Sequence, residues 1–509
     1  MTPFGLSHAP GPSAWRCRTP QCDLHRIPGG PHATLCAPPL RHRTRDHRRH
    51  PARPAAWETE GAVRDLVRHE HDAAHGVTGA LATTSLGLSL WWSLVAVVIG
   101  RAVGGIGMAL HSAQGPQLGV PQMLQARGQF GSYGAAIIVV VAAVMFVGYF
   151  SSNLLVAQQS VHGIAKGANG DVVLVLATVF SLVVAAFGYR LIRAFTAWST
   201  YVVGGLVIVS FVTLLLKGDV FSQLSRGGFT LSGFAAMVAI GVVWQLTYAP
   251  YVSDYSRYLP ANSGTSGAFW GSYLGCVVSS GLLMILGAVV GLASTDSDTM
   301  GGLRGLLGTV LGIIVLAGFA IAAATGNSVN AYCSVLCVLT LLETFHKGWQ
   351  PRTRARLVAT VIMHVLGLGI ALIAASSFAT SYFNFLSILL YVLIPWSAIN
   401  LVDYYLVRHA DYAVDDFFAA DGGRYGRYNP GALIVFVVGV LVQLPFMDTS
   451  LYVGPIASAM GGVDLAWLVG LAFSALAYLA IARLRPALVR LHPEPTPTPK
   501  DTRVQEVQR

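Results

Sequence analysis

Charged residues are scarce in this chain of 509 residues: they make up 11% of it, while hydrophobic residues make up 54%. A soluble globular protein carries about 25% charged residues. The shortage is greatest after residue 76, where apolar runs of about 20 residues recur, each long enough to cross a hydrocarbon core of about 30 Å. No segment between these runs is long enough for a large soluble domain. The sequence therefore predicts an all-α polytopic membrane protein with terminal tails.

Metal-ligating and catalytic patterns are also lacking. The six cysteines fit neither zinc spacing nor convincing pairs: Cys17, Cys22, Cys36, Cys276, Cys333 and Cys337. His111 and His364 are isolated, so the apolar runs hold no cluster suited to an intramembrane enzyme. Between residues 408 and 428, carboxylates alternate with basic and aromatic residues, which is typical of a solvated loop. We predict no metal site, no cofactor and no catalytic residues.

The apolar runs predict eleven complete spans, with boundaries good to a few residues. They cover residues 88–111, 132–157, 171–190, 197–216, 233–256, 266–293, 305–340, 354–375, 379–406, 431–447 and 463–483. Another span is half present. GVTGALATTSLGLSL (Gly76 to Leu90) is too short, and the charged RDLVRHEHDAAH before it would be costly in hydrocarbon. We predict a tail over 1–75, a membrane domain over 76–485 and a disordered tail over 486–509.

Lys and Arg concentrate in alternate connections between the spans. The basic connections and the basic C-terminal segment contain Arg190, Arg193, Arg257, Lys347, Arg352, Arg354, Arg356, Arg408, Arg424, Arg427, Arg483, Arg485 and Arg490. Basic loops are cytoplasmic, so we predict a multi-pass protein of the plasma (inner) membrane with a cytoplasmic C-terminus. The net charge of +10 reflects this bias and the N-terminal tail, and does not indicate nucleic-acid binding.

The N-terminal tail has a composition unlike the rest of the chain. Residues 1–75 hold eleven Arg and nine His. The tail could be a disordered arm, or a targeting segment, although it shows no hydrophobic region followed by a cleavage site. The abrupt change near residue 76 and the missing half-span favour a third interpretation, in which the true reading frame differs upstream of that point.

The sixth span, counting the incomplete first one, contains TYAPYVSDYSRYLP (Thr247 to Pro260). A proline inside an apolar helix interrupts its hydrogen bonds, and in lipid such a break is tolerated where the freed backbone groups find a partner, a cavity or an ion. A helix broken in this way indicates a transporter rather than a passive scaffold.

Three motifs resemble the nucleobase:cation symporter family, also called the purine–cytosine permeases. They are QGPQLGVPQMLQARGQFGSYGA (Gln114 to Ala135), YAPYVSDYSRYLP (Tyr248 to Pro260) and GNSVNAY (Gly326 to Tyr332). The resemblance covers about residues 76–485. It implies a LeuT-like fold, with two five-helix repeats of inverted topology and about 12 transmembrane helices, of which the first is incomplete here. It also implies cation-coupled import of a nucleobase by alternating access, with a small heterocycle and the lipid bilayer as partners.

The resemblance places substrate-binding residues in three spans. Tyr149 and Asn153 lie four residues apart on one helix face, where the family stacks an aromatic ring on the heterocycle and bonds its polar edge with an amide. Trp244 and Gln245 fall where the family has a second aromatic wall, and the register leaves open which of them faces the substrate. Asn330 corresponds to a further substrate ligand. Each of these residues could instead serve helix packing or anchoring at the interface.

The resemblance suggests a coupling residue, and the ionisable residues near the spans suggest a gate. Thr325 falls at a cation-ligand position, but its neighbour Ala324 supplies no oxygen, so the coupling ion could be H⁺ or Na⁺. Asp254 and Arg257, at the cytoplasmic end of the sixth span, would form an intracellular gate or a helix-end charge pair. Asp254 is also the one carboxylate near the pathway that could carry a proton. Arg101, near the middle of the second span, has no evident acidic partner and could either act in the pathway or snorkel to the interface.

Cytosine or a purine is the substrate that the resemblance favours, with uracil, allantoin, hydantoin or a thiamine-like ring as further candidates. One alternative is an amino-acid transporter of the same fold, which would bind its substrate at the first broken helix without an aromatic sandwich. Another is a non-functional product with a damaged first helix. We predict a monomer.

Overall fold

The computed structural model describes residues 74–186, 189–217, 226–261, 264–294, 298–346, 353–419 and 421–489. The predictions made for residues 1–73 and 490–509 lie outside these ranges. Within them the chain forms sixteen α-helices and two isolated β-bridges. The helices, numbered in chain order, are α1 (Ala74–Thr84), α2 (Leu90–Leu118), α3 (Gln122–Phe130), α4 (Ala135–Ile164), α5 (Gly170–Ala186), α6 (Tyr189–Leu216), α7 (Leu231–Leu246), α8 (Ala249–Ser256), α9 (Gly264–Ala293), α10 (Thr299–Leu307), α11 (Thr309–Phe345), α12 (Thr353–Ala374), α13 (Phe378–Val402), α14 (Pro430–Leu441), α15 (Pro455–Ala459) and α16 (Ala466–Leu484).

Eight helical stretches of the described chain are long and apolar enough to cross a membrane. One of them, Thr353–Val407, contains both α12 and α13, and another, Leu231–Ser256, combines α7 and α8. Two shorter apolar stretches, Gly170–Ala186 and Pro430–Phe446, complete the series. Together with α1, which is described from Ala74 to Thr84, these helices occupy twelve positions. This agrees with the number of spans predicted from the sequence, while the residues that bear on the predicted incomplete start of the first span lie outside the described ranges.

The prediction is wrong at the start of the span at 305–340. The chain instead forms the short helix α10, whose first N–H groups are capped by the Asp298 carboxylate. Gly308 follows with φ = 84°, a conformation that glycine adopts without steric cost. The long helix α11 therefore begins at Thr309 and continues to Phe345, five residues beyond the predicted end.

The helices separate into two packed groups. We call α1, α2, α7, α8 and α9 the bundle, because α9 packs on α1 and α2, and α2 packs on α7 and α8. We call α4, α5, α11 and α12 the scaffold, in which α4 and α11 share the most extensive contact of the structure. α13 lies against α7 on one side and α16 on the other, so it borders both groups.

Glycines bring α2 and α7 into backbone contact within the bundle. A Cβ atom on Gly100 would lie 2.5 Å from the carbonyl oxygen of Val238, and one on Gly241 would lie 2.9 Å from the Cα of Gly100. Small residues allow this approach in membrane proteins, where close van der Waals packing contributes much of the attraction between helices. The glycines are therefore a requirement of the α2–α7 packing.

The predicted helix break is confirmed. α7 ends at Leu246 and α8 begins at Ala249, with Pro250 in its first turn, where the missing N–H is not needed. The Thr247 hydroxyl donates to the Trp244 carbonyl oxygen at 2.9 Å. A side chain thus satisfies a backbone group at the end of α7, as helix interruption in an apolar environment requires.

α3 connects the two groups on one side of the protein, which we call the α3 side. The Gln122 N–H, at the start of α3, donates to Asp254 of α8 at 2.9 Å. Near the other end, the Arg127 guanidinium donates to Thr344 of α11 at 3.0 Å and to the Phe417 carbonyl at 2.8 Å. Burial lowers the pKa of Arg127, and the nearby Glu343 opposes this effect. α3 is therefore bonded to the bundle at one end and to the scaffold at the other.

Candidate functional site

An aromatic pair joins the scaffold to the bundle at the helix break. Tyr149 of α4 and Trp244 of α7 have ring centroids 5.0 Å apart at an interplanar angle of 46°. Phe385 of α13 packs edge-on against Tyr149 at 5.3 Å. The Tyr149 hydroxyl donates to Thr247 Oγ1 at 3.2 Å, so the pair is tied directly to the break. The structure thus brings together the two aromatic residues that the sequence proposed as walls.

The Trp244 indole is held by α1. Its N–H donates to Thr78 Oγ1 at 3.1 Å, and the His75 ring lies 4.0 Å away at 67°. The same Thr78 oxygen is 3.0 Å from the hydroxyl of Tyr382, at the start of α13. α1, α7 and α13 therefore meet at one hydroxyl group beside the aromatic pair.

Two fully buried amides, Asn153 and Gln245, belong to the same two helices as this pair. Neither the nitrogen nor the oxygen of the Asn153 amide has a hydrogen-bond partner among the described residues, and the same is true of the Gln245 amide. Asn153 lies one turn along α4 from Tyr149, and its Nδ2 atom would be 3.5 Å from a Cβ on Gly326 of α11. Burying a polar group without a partner costs about 1–3 kcal/mol, so these four atoms are suited to binding a polar ligand.

The side chains of Trp244 and Gln245 point to different neighbouring helices. Trp244 faces Tyr149, whereas the Gln245 Cβ lies against α2, 3.0 Å from where a Cβ on Gly104 would be. The indole is therefore the second aromatic side chain next to Tyr149. The Gln245 amide lies deeper in the bundle.

The predicted residues of α11 are less closely connected to the aromatic pair. Asn330 is half-buried, and no described hydrogen bond joins it to Tyr149, Asn153 or Trp244. Thr325 is buried and its hydroxyl donates to the Ile321 carbonyl of its own helix at 2.7 Å. Asn327, which the sequence placed on the face of Asn330, instead donates to the Phe150 carbonyl of α4 at 3.0 Å, and its Oδ1 atom has no partner in the described chain.

Asp254 and Arg257 lie at the α3 side, but they do not form an ion pair with each other. The Asp254 carboxylate accepts from the backbone N–H of Gln122, whereas the Arg257 guanidinium donates to the Asp254 backbone carbonyl at 3.2 Å and to the Tyr258 hydroxyl at 3.0 Å. Next to Asp254, the Ser253 hydroxyl is 2.6 Å from the Gln122 side-chain oxygen. Asp254 therefore connects α8 to the start of α3.

Arg101 is buried beside the site and does not snorkel. Its side chain is fully buried, and Nη2 donates to His75 Nδ1 at 3.2 Å, because a guanidinium has only donors. The guanidinium carbon also lies 6.0 Å from the centre of the Trp244 ring. A fixed positive charge is thus positioned next to one of the aromatic walls.

A cavity of about 400 Å³ opens on the side opposite α3, which we call the α15 side. It lies between the end of α1, the first half of α7, α13 and the segment 448–464, and Ile240, Val243 and Leu390 line it. Its rim includes Asp448 and Asp464, and burial raises the pKa of both carboxyl groups. The last α7 residue in its lining, Val243, precedes Trp244 in the chain.

A second buried network lies on the α3 side, away from the aromatic pair. The Asp403 carboxylate pairs with Arg408 at 3.0 Å and accepts from the hydroxyls of Tyr412 and Tyr478. Burial acts to lower the pKa of Arg408, but Asp403 outweighs this effect and the pKa stays above its usual value. This network joins the end of α13 to α16 and to the loop that the sequence predicted as solvated.

Three comparisons place the chain among known proteins. A family model described as permease for cytosine/purines, uracil, thiamine and allantoin matches residues 57–470. A Bacillus subtilis protein assigned as a purine-cytosine permease is 36% identical over 440 residues, which cover 84% of this chain and 94% of that protein. The allantoin permease of Bacillus subtilis is 24% identical and covers 79% and 85% of the two chains.

The fold has a solved counterpart. The structure of Mhp1, a nucleobase-cation-symport-1 family transporter in a closed conformation with bromovinylhydantoin bound, matches 87% of this chain and 95% of its own with a TM-score of 0.67 and 15% identity. The predicted fold class is confirmed: an all-α polytopic membrane protein with a LeuT-like arrangement of about twelve helices.

Proposed function

The chain belongs to the family of permeases for cytosine/purines, uracil, thiamine and allantoin, and from this premise we propose that it imports a planar nitrogenous heterocycle, with cytosine or a purine as the preferred substrate. Uracil, allantoin and hydantoin are further candidates. Transport is secondary-active and coupled to H⁺ or Na⁺. The protein acts in the plasma membrane with its C-terminus and its α3 side in the cytoplasm, as a monomer.

The aromatic pair and the unpartnered amides on the same two helices support this proposal most strongly. The faces of a heterocycle favour π-surfaces such as those of Tyr149 and Trp244. Its edge alternates N–H donors with carbonyl or ring-nitrogen acceptors, and the amides of Asn153 and Gln245 can both donate and accept. Two aromatic faces with neutral amides suit a flat, uncharged ring.

Alternating access would use the two helix groups. In our proposal, substrate enters through the cavity on the α15 side and passes Val243 to reach Trp244. Movement of the bundle against the scaffold then opens the α3 side. Asp254 is the gate residue because its contact with Gln122 links α8 to the start of α3, and Arg257 supports it by bonding the carbonyl of the same residue. Asn330 lines the α11 wall of the pathway, and Thr325 is the candidate cation ligand.

Uptake into proteoliposomes tests the proposal. Radiolabelled cytosine should accumulate, unlabelled adenine should compete, and excess leucine or serine should not. The proton and sodium gradients should be dissipated separately. Accumulation should be lost in one of these two experiments, and that experiment identifies the coupling ion. Accumulation that survives loss of both gradients would refute symport, while displacement by leucine would favour an amino-acid transporter of the same fold.

A further inference from the structure

Thr78 has a hydroxyl group whose hydrogen-bonding capacity is fully used. The group donates to the Ala74 carbonyl at 2.7 Å, accepts from the Trp244 indole at 3.1 Å and lies 3.0 Å from the Tyr382 hydroxyl. A hydroxyl has one hydrogen and two lone pairs. Because its hydrogen points to Ala74, Tyr382 must donate to it. Thr78 is fully buried, so water cannot replace these contacts.

The contact with Thr78 fixes the orientation of the Trp244 ring. An indole has a single N–H, and the direction in which it points sets the rotation of the ring plane. His75 packs against the same ring, and Tyr149 lies on it at 5.0 Å. Three residues from two other helices thus leave Trp244 with one orientation.

We propose that Thr78 is a positioning residue that orients Trp244 for stacking and makes this orientation depend on α1. The inference rests on the proposed function and adds a statement about specificity to it. Since the indole N–H is bonded to Thr78, Trp244 offers the substrate its ring face and not a donor. Acceptor atoms on the heterocycle edge are then left to other donors, among them the amide of Asn153.

A purely structural role for Thr78 predicts different behaviour. If the hydroxyl only satisfied a buried N–H, its removal would lower stability and expression without a selective effect on substrate binding. Thr78→Val keeps the shape and removes the hydroxyl, whereas Thr78→Ser keeps the hydroxyl. Tyr382→Phe is a matched control, because it removes a neighbour of Thr78 but leaves the bond to Trp244.

The test measures cytosine uptake by the full-length protein in proteoliposomes. We expect Thr78→Val to raise KM by about 5- to 100-fold, as for a buried donor that loses its partner, with Vmax within about twofold of wild type. Thr78→Ser and Tyr382→Phe should stay within about threefold, and Thr78→Val should have no further effect when combined with Trp244→Phe. An unchanged KM, or an equal effect in the Trp244→Phe background, would overturn the inference.

A second readout needs no substrate. Thr78→Val should shift the tryptophan emission of the purified protein, and the shift should vanish in the Trp244→Phe background. If the wild type carries none of the heterocycles, the proposed function fails, yet this emission cycle still decides whether Thr78 orients Trp244. Absence of the shift would overturn the inference even where cytosine is transported.

Discussion

Tyr149 and Trp244 contact each other directly, with their ring centroids 5.0 Å apart. Two rings that sandwich a third must be separated by about 7 Å, twice the usual contact distance between carbon atoms. The two side chains therefore fill each other's stacking surface in this conformation. In the proposed sandwich, substrate would have to separate them, and this movement would be part of binding.

Removing one ring should weaken binding. We expect Tyr149→Leu to raise the KM for cytosine about 10-fold or more, because one stacking surface is lost, while Tyr149→Phe should change it by less than about threefold. Stacked aromatic pairs contribute about 0.5–1.5 kcal/mol beyond the area that they bury. Uptake kinetics provide the measurement. Tyr201→Leu, at a side chain that is 68% exposed, is the control and should behave as wild type.

Removing either unpartnered amide should weaken substrate binding with little loss of thermal stability. Asn153→Ala and Gln245→Ala remove no described hydrogen bond, so thermal stability in detergent should fall little, whereas the KM for cytosine should rise about 10-fold. Asn327→Ala gives the contrast, since it removes the bond to Phe150 and should lower the melting temperature. A loss of stability at Asn153 or Gln245 without a change in KM would assign these amides to packing.

The buried ion pair at Asp403 should matter for stability and not for substrate choice. Asp403→Ala leaves Arg408 charged and buried, and we expect a loss of about 3–5 kcal/mol in the free energy of unfolding. The half-exposed pair of Asp416 and Arg424 is the matched control. Its removal should cost less than about 1 kcal/mol. Denaturant titration of the purified variants gives both values, and equal losses would argue against the difference in burial as the cause.

Asp254 should control opening on the α3 side. Asp254→Ala removes the α8 carboxylate that accepts a hydrogen bond from the start of α3. A negative charge at a helix N-terminus stabilises the helix by about 0.3–1 kcal/mol. The substitution should therefore raise the population of the form that is open on the α3 side by about two- to fivefold. Buried Cys337, in the neighbouring part of α11, serves as the reporter in a variant without other cysteines. Its alkylation rate should rise in Asp254→Ala. Asp171 is an exposed carboxylate on the α15 side, and the alkylation rate of Cys337 should not change in Asp171→Ala. If the two variants have equal alkylation rates, Asp254 is not the gate residue.

Sidedness can be checked with single cysteines in a cysteine-free background. Leu451 is 71% exposed on the α15 side, and Ala487 is exposed after α16. A membrane-impermeant maleimide should label Leu451→Cys in intact cells and Ala487→Cys only after permeabilisation. The opposite pattern would reverse the predicted topology, since neither substitution alters a loop charge.

The sequence predicts the spans and the break well because both depend on local properties. Hydropathy marks the spans, and Pro250 marks the break. Neighbouring residues on a helix point about 100° apart, so the sequence could not decide whether Trp244 or Gln245 faces Tyr149. Thr78 carries no signal in the small-residue segment GVTGALATT, because its partner Trp244 is 166 residues away. Arg101 stands out in the sequence as a charge within a span, but its burial and its contact with His75 depend on the helix packing.

The backbone contact of Gly100 with Gly241 also bears on how fast the protein can work. Helices in such contact cannot slide past each other without a steric clash. We therefore expect α2 and α7 to move together as one rigid unit. Under the proposed mechanism, any bending within the bundle would be concentrated in the two linker residues Thr247 and Tyr248. We therefore expect the turnover rate to depend on the torsional freedom of this hinge, and a second proline there would slow transport while leaving the affinity for substrate intact.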